Sequence, residues 1–256
     1  MENRNNRIRL IIAAAAVILA FFIVVSVCNL ISLNSSMSKL YGYANIIKRL
    51  VPFLCMSIVF LTGKDGLGKK DIFLLKLSFC AICMGELGFL AGKFIPGIAF
   101  FAACHILLSI RHYSWLSESF SSGRARKHLA PMISSGVAIL LVLSLWLSLI
   151  FYPALKANTV FYVLIIYGLI LGTSLWMAII NCFAGSIPKR NAVFIMIAVI
   201  LIFFSDFMVG VFIITTDKFA RIIIDQVIWI TYVPAGILLA LSGYKCPEMI
   251  YARKPC

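Results

Sequence analysis

The chain has 256 residues, of which 62% are hydrophobic and 12% charged, and its mean hydropathy is +1.05. A surface built from such a composition cannot be solvated by water, so lipid must be its solvent. The net charge of +14 does not point to nucleic acid, because the Lys and Arg residues sit between apolar runs and form no basic face interleaved with aromatics.

Every backbone N–H and C=O in hydrocarbon needs an internal partner, and the apolar runs are continuous and of helix length, not short and alternating as in a barrel. The fold expected is all-α, a polytopic transmembrane bundle of about eight spans in a single integral membrane domain. The spans fall at about 10–31, 46–62, 72–91, 94–111, 131–152, 160–183, 191–214 and 222–243. The first has an Arg-rich start like a signal peptide, but its apolar core is too long and no small-x-small cleavage site follows, so it is read as a retained anchor. The second and fourth are short. The longest loop is about twenty residues, which leaves chemistry to the space between helices.

Orientation follows from the basic residues, which accumulate on the cytoplasmic side. Arg4, Arg7 and Arg9, the loops at 63–71, 111–130 and 184–190, and Lys245, Arg253 and Lys254 of the tail lie on one side. Both termini are therefore expected in the cytoplasm of a prokaryotic cell whose plasma membrane holds the chain. The eight Cys fall mostly in apolar segments, and Cys80 and Cys83, a CxxC within a span, are read as packing residues.

Of the nine acids, Glu86 and Asp206 are set well inside apolar helices, where a carboxylate costs a few kcal/mol and the default reading is a functional group facing the bundle interior. At 1.5 Å per residue, Glu86 lies about 21 Å and Asp206 about 22 Å from the cytoplasmic ends of their spans, so the two share a level. Two carboxyls at one depth in low dielectric do not both ionise, which yields one protonated acid beside one carboxylate. The same arithmetic sets Tyr167 at about 24 Å and Tyr232 at about 16 Å, within reach of one cavity, and His105 at about 9 Å, below it. Lys48 and Arg49 open the second span at the outer interface, as snorkelling side chains or as an anchor for a lipid phosphate. Ser205, next to Asp206, cannot form a triad with it, because helix neighbours do not face each other. Three His without HxxxH or HExxH make no His-rich zinc site. No metal or other cofactor is expected. Gly168 and Gly172 form GxxxG, a close-packing device inside the bundle or between copies, so a homodimer is kept among the partners.

Gly85-Glu86, then Phe94-Ile95-Pro96-Gly97, Phe101 and His105, resemble the G-D, F-x-x-G, F, H string of the YhhN-like lysoplasmalogenase family. Phe204-Ser205-Asp206 resembles its F-x-S-D element, Tyr152-Pro153 a turn, and Thr231-Tyr232 with Ala235 the start of its T-Y-Y-x-A-Q helix. The chain departs from that pattern in carrying Glu86 for Asp, Val233 for Tyr, Gly236 for Gln and Leu108 for Tyr. Lys48 and Pro52 are spread further apart than in the family, and Ile213 stands in place of an Asn. The resemblance implies hydrolysis of the vinyl ether of a lysoplasmalogen to a fatty aldehyde and a glycerophospho-headgroup. Glu86 and Asp206 would then divide the acid and carboxylate roles, supported by Tyr232, Tyr167, His105, Lys48 and Ser205. The partners implied are a lysophospholipid substrate and membrane lipids. Two other readings stand beside it: a transporter that moves protons or cations through the carboxyl pair, and a family member that binds lipid without turning it over.

Overall fold

The computed structural model describes residues 2–32, 46–156, 158–184 and 186–245. Its helices are α1 (Glu2–Ser32), α2 (Val51–Thr62), α3 (Lys69–Leu90), α4 (Phe94–Ser121), α5 (Leu129–Trp146, continuing through Leu147–Phe151 to Leu155), α6 (Thr159–Ala184), α7 (Lys189–Ile214) and α8 (Lys218–Leu241). Among the described residues, all of these except α2 are long and apolar enough to cross a bilayer. The chain is an integral, multi-pass membrane protein. The tail cations Arg253 and Lys254, counted above for orientation, lie outside the described residues.

The boundaries differ from the expected ones at three places, each for a physical reason. The run 46–62 breaks at Arg49-Leu50 and becomes a twelve-residue helix with Pro52 in its first turn. Proline has no N–H to donate to the carbonyl four residues back, so it starts the helix and does not continue one. At 1.5 Å per residue α2 spans about 18 Å, short of the hydrocarbon thickness. Second, α4 runs ten residues past the expected end at Arg111, because Arg111 is not a loop residue: it is fully buried and paired with Asp71. Third, Tyr152-Pro153 is not a turn. The α5 helix absorbs Pro153 by a π turn over Leu147–Phe151, in which the Tyr152 N–H donates to the Leu147 carbonyl, and then continues to Leu155. Single-turn π segments of this kind recur at functional sites.

Tight connections set the neighbours. Gly92, at φ +70°, turns α3 into α4 with its N–H on the Phe89 carbonyl, a left-handed position that suits glycine. Asp217 caps α8 by accepting from the Ala220 N–H at 2.7 Å. Helix α3 packs along α4, α7 along α8, and α6 against both α4 and α7. One apolar core joins α1, α2, α3, α4, α7 and α8, and a second joins α5, α6 and α7. Gly168 and Gly172 face Leu143 and Ile139 of α5, so the GxxxG closes an internal helix pair. Cys80 and Cys83 both approach the Met56 sulfur, at 3.9 and 4.0 Å, a soft packing contact between α2 and α3.

The end of the bundle that holds the 122–128 connection and residues 186–188 is tied by buried polar bonds. Arg111 donates Nε and Nη2 to the two oxygens of Asp71 at 2.8 and 3.0 Å, and Nη1 to Ser242 Oγ at 3.0 Å. Trp115 Nε1 donates to the same Asp71 at 2.8 Å. Asn191 Nδ2 donates to the carbonyls of Ser242 and Tyr244, each at 2.8 Å.

Candidate functional site

At the opposite end, where α3 meets α4 and α7 meets α8, the helices part around a chamber of about 460 Å³, within the range of small-molecule sites. Its walls are apolar: Phe89, Phe94, Ile98, Phe101, Leu164, Val209, Phe212, Ile213 and Ile228. Four polar side chains from four helices converge in it: Glu86 from α3, Tyr167 from α6, Asp206 from α7 and Tyr232 from α8. The two carboxyls expected to share a level line the same space, and so do the two tyrosines.

The acids are held in different ways. Glu86, 5% exposed, accepts from Arg49 Nη1 at 2.7 Å, a charge-assisted bond. The same guanidinium lies 5.9 Å from the centre of the Phe89 ring, and Tyr232 lines the same chamber. Asp206 Oδ2 accepts a hydrogen bond from the Tyr167 hydroxyl, and His105 Nε2 lies 3.3 Å from the same oxygen. His105 is 1% exposed and packs edge-on against the Tyr167 ring. Its second ring nitrogen, Nδ1, is buried and has no hydrogen-bond partner among the described residues.

His105 therefore does not sit below the site. The expected depth was counted from residue 111, and counted from the true end of α4 at Ser121 it becomes about 24 Å, level with the acids. Lys48 does not snorkel: it is 1% exposed and its Nζ meets Oδ2 of Asp225, a lining residue, at 3.0 Å, while Lys48 itself is not part of the lining. Ser205 lines the chamber, but its hydroxyl is committed to the Ile228 carbonyl at 3.2 Å, tying α7 to α8.

The chamber also contains residues the sequence reading did not single out: Asp225, Trp229 and Arg221 of α8. Trp229 Nε1 donates to Asp225 Oδ1 at 3.1 Å. The signal available for them was the i, i+4 spacing of Arg221, Asp225 and Trp229, which stacks the three on one helix face. The π turn of α5 reaches the site from behind: Phe151 packs on Gly210, a lining residue, with ring atoms 2.7 Å from where a Cβ would stand.

The arrangement is a largely apolar cleft lined by two carboxyls and two phenols, with an imidazole behind Asp206 and guanidinium groups of Arg49 and Arg221 in the lining. Groups so placed can pass protons between oxygen atoms within an apolar surround. The sequence profile of the YhhN family matches residues 44–243, a stretch that spans every residue of the chamber. No curated protein matches the chain, and no solved structure does.

Proposed function

The chain belongs to the YhhN family, and from that membership and the chamber's chemistry we propose that it hydrolyses the vinyl ether of a lysoplasmalogen, releasing a fatty aldehyde and a glycerophospho-alcohol. One observation carries the reading: Glu86 and Asp206, on helices far apart in the chain, line one apolar cavity with donors of different kinds at each.

A vinyl ether reacts when its β-carbon takes a proton and the electrons of the ether oxygen form an oxocarbenium ion. Water then adds to the α-carbon and loses a proton, and the hemiacetal breaks to aldehyde and alcohol. The chemistry needs one proton donor and one carboxylate that stabilises the cation and receives the proton from water. Glu86, already holding a guanidinium, suits the carboxylate role. Asp206, with Tyr167 on its oxygen and His105 behind it, suits proton delivery. The proton given to carbon is replaced by the one taken from water, so no net proton is consumed. An apolar cleft keeps bulk water from competing.

The test is aldehyde release from a 1-alkenyl lysophospholipid by purified protein. Asp206→Asn keeps the shape of the side chain and removes its titratable group, and is expected to lower the rate by at least about 100-fold, the lower range of general acid–base catalysis. Undiminished release from that variant would refute the assignment. Lipid bound but not cleaved by the unaltered protein would instead support the reading of a family member that binds without turnover.

A further inference from the structure

The chemistry proposed above leaves one cation of the chamber without employment. Each acid of the lining is already matched: Glu86 by Arg49, Asp206 by Tyr167 and His105, and Asp225 by Lys48 on one oxygen and Trp229 on the other. Arg221 is exposed, belongs to the lining, and lies with its guanidinium carbon 4.3 Å from the centre of the Phe212 ring, another wall residue. Among the described residues no carboxylate bonds it. Asp225, one turn along the same face and its natural i+4 partner, has both oxygens occupied.

A guanidinium resting on an aromatic face is fixed in orientation while its N–H edge stays available, and that planar fork fits a tetrahedral oxyanion with two parallel hydrogen bonds. Arg49, the second guanidinium of the lining, gives one N–H to Glu86 and keeps others, because an Arg carries five. A guanidinium that no lining carboxylate bonds, set at the edge of an apolar cleft, is the complement of one class of molecule, a hydrocarbon chain that ends in a phosphate ester.

We infer that Arg221, aided by Arg49, forms a headgroup subsite that binds the phosphate of a single-chain lipid whose tail occupies the apolar chamber, and that Arg221 sets preference for phosphate-bearing over phosphate-free lipids. This rests on the reading that the occupant is a lysolipid, but it concerns recognition and not bond cleavage, so the two can fail separately.

Trp229 stands in the chamber wall and reports occupancy by its fluorescence. The probes are an ester-linked lysophosphatidylethanolamine, a monoacylglycerol of the same chain length, and inorganic phosphate. The unaltered protein is expected to bind the lysophospholipid at least about tenfold more tightly than the monoacylglycerol, the worth of one charge-assisted pair. Arg221→Gln should shrink that ratio to about threefold or less, and Arg221→Lys, which keeps the charge but loses the fork, should fall between. Lys156→Gln removes an exposed cation outside the chamber lining and should keep the full ratio, which separates local recognition from overall charge. A ratio unchanged in Arg221→Gln, or no preference in the unaltered protein, overturns the proposal. So does inorganic phosphate binding as tightly as the lysolipid, since the ligand would then be the free anion. Aldehyde release is read separately: preference without cleavage removes the hydrolase reading and leaves the subsite, whereas cleavage without preference does the reverse.

Discussion

Removing a charge from a buried ion pair strands its partner, and at Arg111 the consequence is large. The guanidinium is wholly buried and donates to both oxygens of Asp71 and to Ser242. Arg111→Met leaves the Asp71 carboxylate uncompensated and is expected to destabilise the protein by about 3–5 kcal/mol, whereas Arg111→Met with Asp71→Asn, which removes both charges, recovers part of that loss. Thermal unfolding in detergent measures both. At the site, Tyr167→Phe deletes the hydroxyl that donates to Asp206 and little else. A neutral hydrogen bond contributes about 0.5–1.5 kcal/mol, so aldehyde release should drop about 2- to 12-fold, with a loss of stability no larger than that contribution. Equal turnover in the variant would show that this phenol has no part in proton delivery. Residues at this scale were legible where depth alone decided them. Glu86, Asp206, Tyr167 and Tyr232 meet because helices of similar length carry them to a similar level. Partners were not legible: Asp71 is 40 positions from Arg111, Glu86 is 37 from Arg49, and Asp225 is 177 from Lys48. No local window connects such positions, so Arg111 read as the end of a span and Lys48 as a snorkelling cation.

Helices reach the site at the right spacing because glycine lets α3 and α4 approach closely. A Cβ on Gly88 would stand 3.1 Å from both the N and the Cα of Gly97, which are backbone atoms and cannot swing aside. Gly88→Ala is therefore expected to spread the α3–α4 hairpin at a cost of about 1–3 kcal/mol and, two residues from Glu86, to lower aldehyde release as well. Gly236→Ala is the matched control, since its Cβ would meet only the Cys55 sulfur at 3.4 Å; it should be near neutral in both assays. Hydropathy located all the long helices, because hydrocarbon admits few alternatives to an unbroken apolar helix. It misjudged lengths where a single residue overrode the run: Pro52 shortened α2, and Pro153 was absorbed by a π turn where a loop was expected.

The molecule as a whole is unequal along its axis. One end holds Arg111, Asp71, Ser242, Asn191 and Trp115 in a buried net that ties α3, α4, α7 and α8, and the other end holds the cavity. Opening free energy follows the density of buried contacts, so amide exchange should be fastest near 212–222 and slowest around 240–244. Uniform protection along α8 would contradict this. Helix α5 turns most of its surface outward and backs the site through Phe151 behind Gly210 and Trp146 stacked on Phe207.

The polar net far from the cavity thus works as the grip of a pair of tongs. With α3, α4, α7 and α8 tied together at one end, the placing of their other ends around the cavity depends on that grip as well as on the Arg49–Glu86, Lys48–Asp225 and Tyr167–Asp206 bonds. Loosening the grip by the Arg111 substitution should shift those ends, so under the proposed function the variant that remains folded is expected to hold lysolipid more weakly although no residue of the chamber lining has changed.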